Sequence, residues 1–144
     1  MGFRESLAKA KESVADRVKT PAIPVVLDGE PFEVVFYRVD SLEWSNATAK
    51  FPPRPGVPLD AAHGYNIAAV AREISAVAGR VVEDGVEAEQ TAEDWADFWS
   101  VVAPASARLI EVNVWHLHER DTLEEILRAK KALKPRRNSR KKSA

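Results

Sequence analysis

Three of the four tryptophans in this chain of 144 residues fall within Thr91–Leu117, TAEDWADFWSVVAPASARLIEVNVWHL. This stretch constrains the fold more than any other. Trp95, Phe98, Trp99 and Val102 recur at i, i+3, i+4 and i+7, so a helix places them on one face, while Glu93, Asp94, Asp97 and Ser100 suit solvent. Aromatic side chains bury more apolar surface than any others, so the core is expected here. Thr91 caps this helix, and Asp94 favours its N-terminus. Pro104 interrupts the pattern, and a second run from Ala105 or Ser106 continues through Leu109, Ile110, Val112, Val114, Trp115 and Leu117. Ile110–Val114 alternates as a strand would. The run nevertheless leads straight into HERDTLEEILRAKKAL, which favours helix, with a restart offered at Asp121 and Glu124. Leu123, Ile126, Leu127 and Leu133 extend its apolar face, and Pro135 marks the expected end of order.

Upstream, residues 3–19 read as an amphipathic helix with a narrow stripe of Phe3, Leu7, Ala10, Val14 and Val18. So thin a stripe needs tertiary or partner contacts, and lying on the body is the favoured arrangement over a partner-binding arm. Pro21 and Pro24 end it. Ile23–Leu27 and Phe32–Val39 are rich in β-branched and aromatic residues, and Asp28-Gly29 between them signals a hairpin. Asp40 and Glu43 have capping-box spacing for a helix containing Leu42, Trp44, Ala47 and Ala49. The run from Phe51 to Pro58, FPPRPGVP, suits only an extended connector. Ile67, Val70, Ala71, Ile74 and Val77 then line one face of a helix ended by Gly79. Residues 81–90 read as a loop, with room for a short extended piece, that turns at Gly85.

These pieces predict a mainly α, α+β fold: a small helical domain with one N-terminal β-hairpin. Residues 1–20 form an amphipathic arm, 21–133 a single helix-rich domain with the hairpin at 22–39, and 134–144 a disordered basic tail. The net charge of −1 conceals an asymmetry. Arg128, Lys130, Lys131, Lys134, Arg136, Arg137, Arg140, Lys141 and Lys142 follow one another with no acid after Glu125. That leaves twelve basic residues against twenty-two acidic ones elsewhere, a net of −10. Such a cationic run attracts acidic surfaces, and weak salt-sensitive contact with nucleic acid is one outcome, although no aromatic residue interleaves it. The pattern is also compatible with a homo-oligomer. No apolar run approaches the roughly 20 residues that span a bilayer, so no membrane partner is expected. The first nineteen residues contain no signal-peptide core.

Chemistry is sparse. There is no cysteine, which removes disulfide and thiolate chemistry. His116 and His118 at i, i+2 do not face one metal on a helix, and His118-Glu119 lacks the second histidine of a zinc-protease helix. Asp60 and His63 make an acid/base pair only if folding supplies a pocket and a nucleophile, and Asp60 better suits a turn or cap. No glycine-rich phosphate loop or nucleophile elbow is present. The dense acids from Glu83 to Asp97 lack calcium-loop spacing and read as a solvated face. No enzyme, cofactor or metal is expected.

Three segments together carry a resemblance: LEWSNATAKFPPRPGVPLDAAHGYN, EDWADFWSVVAPASARLI, and NVWHLHERDTLEEI before a Lys/Arg-rich end. Over about residues 30–133 this ensemble resembles tail assembly chaperones of long-tailed (siphovirus-type) bacteriophages, particularly those infecting actinobacteria. The resemblance implies a non-enzymatic protein of the host cytoplasm, absent from the mature virion. Such proteins keep the tape measure protein soluble until tail tube subunits polymerise around it, so the tape measure and major tail tube proteins become expected partners. It also implies a short form that a ribosomal frameshift can extend. Candidate client-binding residues are the loop-proximal aromatics Trp44, Phe51 and Tyr65, together with the N-terminal stripe Phe3, Leu7, Val14 and Val18. The competing classes are a small nucleic-acid-associated phage protein acting through Lys130, Lys131, Lys134, Arg136, Arg137, Arg140, Lys141 and Lys142, and a structural head-to-tail connector.

Overall fold

The computed structural model describes residues 2–12 and 18–142, with side chains as far as Leu133. The elements run α1 (Phe3–Glu12), β1 (Ile23–Leu27), β2 (Glu30–Phe36), α2 (Ser41–Lys50), α3 (Pro58–His63), α4 (Ile67–Ala78), β3 (Gly79–Glu83), β4 (Val86–Ala88), α5 (Ala92–Val101), α6 (Pro104–Trp115), a π-helical segment (His116–Arg120) and α7 (Asp121–Lys142). The fold is mainly α, in an α+β arrangement.

The predicted hairpin is present. Ile23 pairs with Val34 and Leu27 with Glu30 across Asp28-Gly29, both at positive φ (50° and 79°), as a tight primed turn requires. Its second strand ends at Phe36, short of Val39. The expected loop at 81–90 is instead a second hairpin of the same kind. Asp84 (φ 51°) and Gly85 (φ 77°) turn β3 into β4. β3 adds antiparallel to β2, with Val34 opposite Val81 and Phe36 opposite Gly79, which gives one sheet in the order β1-β2-β3-β4. The Asp-Gly signal was there to be read. The strands around it are short and poor in aromatics, so their pairing depends on β2 arriving alongside.

Side-chain caps start α2, α4 and α5. Asp40 Oδ1 accepts from the Glu43 N–H at 2.8 Å, Asn66 Oδ1 from Ala69 at 3.1 Å, and Thr91 Oγ1 from Asp94 at 3.1 Å. The core joins Ile23, Val25, Val34 and Phe36 of the sheet to Val70, Ile74, Trp95, Ile110 and Val114 of α4, α5 and α6. Trp95 is its aromatic anchor, with Phe36 at a centroid distance of 5.6 Å and Phe98 at 5.1 Å. Phe98 and Trp99 are only half-buried at the margin, where Trp99 Nε1 donates to Ser75 Oγ at 2.9 Å. Trp95 Nε1 is buried and finds no acceptor among the described residues, a cost of about 1–3 kcal/mol.

Two expectations about the chain ends are revised. The N-terminal helix does not run to residue 19, because Lys19 forms an antiparallel bridge with Tyr37. Nor does α1 bury any residue, so its stripe is too thin to hold it as a covered helix on the body. At the other end, backbone helix continues past Pro135 to Lys142. Strong helix formers flank that proline on both sides, although its ring removes one backbone donor and crowds the carbonyl four residues earlier.

Candidate functional site

The residues singled out from the sequence converge in part. Trp44 on α2, Tyr65 in the α3–α4 connection and His118 in the π-helical segment form one contiguous group. The Trp44 and His118 rings stack at 4.0 Å and 7° between planes, and Tyr65 meets Trp44 edge-on at 5.8 Å. The Tyr65 hydroxyl donates to Glu119, and burial together with that bond pushes its pKa well above the usual phenol range. His63 extends the group, packing on Trp115 at 4.2 Å. At 5% exposure Tyr65 belongs to the interior, while Trp44 is half-buried.

The π-helical segment makes this possible. Its hydrogen bonds span five residues, as in Asp121 N–H to the His116 carbonyl, so successive side chains advance by less than a normal helical step. Leu117 and His118 therefore both turn inward. His118 Nε2 accepts from the Val39 backbone N–H at 3.0 Å, and Nδ1 lies 2.8 Å from the Val114 carbonyl. That pair of partners requires the neutral ring protonated on Nδ1. Burial, opposed by the Val114 bond and assisted by the Arg38 charge, lowers the His118 pKa to about 4. Arg38 itself reaches the same segment, donating from Nε to the Leu117 carbonyl at 3.1 Å. The histidine thus fastens the strand-to-helix connection at Val39 to the C-terminal helix.

The proline-rich connector is fastened in another way. Asp60, with 0% exposure, accepts from the Arg54 backbone N–H at 3.0 Å, from its Nε at 2.8 Å and from its Nη2 at 3.0 Å. The guanidinium and that backbone bond hold the Asp60 carboxyl below its usual range. Asp60 and His63 consequently serve different partners, and no acid/base dyad forms between them. The sequence reading missed this clamp because Arg54 lies within a run of prolines, which on its own signals only extended chain.

Phe51 ends α2 and is half-buried against the core, beside an open cleft between α4 and α5 of about 660 Å³. Phe3, Leu7 and Val18 are exposed, and Val14 lies outside the described residues. Lys130 and Lys131 are exposed on α7, and Lys134, Arg136, Arg137, Arg140, Lys141 and Lys142 follow on the same helix. In the acidic stretch most residues are solvated, but Glu87 is half-buried, accepting from Lys19 Nζ at 2.6 Å and from the Tyr37 hydroxyl at 2.5 Å. Among the described residues no three potential metal ligands cluster, and no helix is long and apolar enough to cross a membrane.

The site defines an α+β domain in which aromatic and histidine rings tie loops to a C-terminal helix. Comparison with family models, curated proteins and solved structures returns no match.

Proposed function

We propose that this chain is the short form of a phage tail assembly chaperone, which binds the tape measure protein and keeps it soluble while the tail tube assembles. The observation that carries the reading is uncovered apolar surface on the N-terminal amphipathic arm. Phe3 is 81% exposed and Leu7 45%, and Val18 beyond them is also exposed. An amphipathic client helix offers a matching stripe, and shallow contacts of this kind suit a coat that is later displaced. Trp44, Phe51 and Tyr65 contribute by shaping the domain that presents this arm, since their rings are already engaged within it. The reading places the protein in the host cytoplasm, outside the finished virion, with tape measure and tail tube proteins as partners and no catalysis.

Co-expression with the tape measure protein tests it. The expected result is a larger soluble tape measure fraction, which Phe3→Ser with Leu7→Ser abolishes while the chaperone stays folded. An equally insoluble tape measure protein with and without this chain would overturn the reading. So would recovery of this chain from purified particles, which would favour a connector.

A second reading rests on the cationic residues continued along α7 to Lys142. It predicts a gel shift with nucleic acid that weakens steeply with salt and vanishes on deleting residues 134–144.

A further inference from the structure

The core face of the sheet is not fully covered by α5. Between that helix and strands β1, β2 and β3 lies a hollow of about 330 Å³. Leu27, Phe32 and Phe98 line it half-buried, and Val101, also in its lining, is 67% exposed. Three carboxylates share the lining, Glu83 from β3 with Asp94 and Asp97 from α5, and no lysine or arginine does. All three are exposed, and among the described residues none makes an ion pair. Glu87 and Glu89, a few residues on, are by contrast both paired, with Lys19 and Arg80. Asp94 has a reason within its own helix, where it lies in the first turn and favours the N-terminus. Asp97 lies beyond that turn and Glu83 belongs to a strand, so the helix dipole accounts for neither. Like charges around an apolar hollow repel one another, and a cation on an apolar stem relieves that repulsion while covering the apolar surface.

We propose that this hollow receives a lysine side chain from a basic segment of a partner protein. The aliphatic stem lies along Leu27, Phe32 and Phe98, and the ammonium stays at the rim among Glu83, Asp94 and Asp97. The volume is near the lower end of ordinary ligand pockets, about 300–1,000 Å³, so it takes one long side chain with its neighbours and not a whole helix. An acidic segment or a nucleic acid would meet the same three carboxylates and be repelled. A second copy of this chain is a poorer occupant, because its basic tail arrives with a strongly acidic body. The contact does not rest on the chaperone reading.

A nuclear magnetic resonance titration of the isotope-labelled full chain tests it. The probe is a synthetic peptide, acetyl-Ala-Leu-Lys-Leu-Ala-amide, and its control carries norleucine in place of lysine, which keeps the stem and removes the charge. Trp95 lines the hollow, so its indole N–H resonance, assigned by its loss in Trp95→Phe, reports occupancy. The expected result is a saturating shift with the lysine peptide and a dissociation constant at least about tenfold weaker with norleucine. Glu83→Gln with Asp97→Asn should weaken the lysine peptide by a similar factor. Both positions are exposed, so the circular dichroism of that variant should be unchanged. Added salt should weaken the lysine peptide and spare the norleucine one. Equal affinity for the two peptides, or equal affinity of the two proteins for the lysine peptide, overturns the proposal. So does a Trp95 resonance that moves with protein concentration alone and stops doing so on deleting residues 134–144, because this chain's own tail then fills the hollow.

Discussion

Gly79→Ala separates two reasons for a glycine at the end of α4. Gly79 has φ −84° and ψ 146°, an ordinary extended backbone that alanine adopts freely. On conformational grounds the substitution should stabilise by about 0.4–1 kcal/mol, because alanine loses less freedom on folding. The surroundings argue the opposite. A Cβ at this position would lie 2.6 Å from Trp95 Cζ2, 3.1 Å from Trp95 Cε2 and 2.8 Å from the Ser75 carbonyl oxygen. Neither neighbour yields easily. Trp95 is 2% exposed against Phe36 and Phe98, and the Ser75 carbonyl already accepts the Gly79 N–H. Overpacking of this kind costs about 1–3 kcal/mol or more, so we expect net destabilisation of about 2 kcal/mol. With a urea slope of about 1–3 kcal/mol per M, the midpoint should fall by about 1 M at unchanged slope, read by far-ultraviolet circular dichroism. Trp95→Phe in the same background removes the ring edge that the new methyl meets. The double variant should therefore be more stable than the sum of the singles predicts, with a coupling of about 0.5–3 kcal/mol. An unchanged or higher midpoint for Gly79→Ala, or strict additivity with Trp95→Phe, refutes the close-approach argument.

Three further outcomes follow from the same geometry. His118 titrates at about 4 when folded against 6.5 when free, so its contribution is complete above pH 6.5 and is lost as pH falls towards 4. The shift corresponds to roughly 3 kcal/mol, and His118→Gln should flatten the stability profile measured by urea unfolding across that window; parallel profiles for the two proteins would contradict it. Arg54→Ala leaves the buried Asp60 carboxylate without its clamp and should cost about 1–3 kcal/mol, whereas Arg54→Ala with Asp60→Ala should recover part of that loss; equal losses in the two variants would show the clamp to be unimportant. Gly85→Ala forces alanine to φ 77° and should destabilise by about 1 kcal/mol, with faster amide exchange in β4 than elsewhere in the sheet; unaltered exchange there would mean that the turn does not hold this strand.

Local chemistry made much of the fold legible in advance. Asp40 and Thr91 start helices because a short polar side chain meets an orphan N–H three residues on, a relation contained wholly within the sequence. The Trp95 helix was legible because its apolar residues follow a 3.6-residue period, whereas Ile110–Val114 alternates and only its continuation into HERDTLEEILRAKKAL favoured helix. The site was legible only as a list of aromatics. Trp44 and Tyr65 do come together, but their partners His118 and Glu119 lie more than fifty residues away, and no spacing rule spans that distance.

The sequence by itself determined both Asp-Gly turns, the helix caps and the apolar faces, because each depends on neighbours within a few residues. The tertiary structure alone decided that β3 joins β2, that Gly79 is needed for room beside Trp95, and that a π-helical step turns His118 towards Val39. It also decided which apolar stripes stay uncovered. A pattern of leucines on α7 reads identically whether the face is buried or bare, and only the arrangement of the other elements leaves Leu123, Ile126, Leu127 and Leu133 facing solvent.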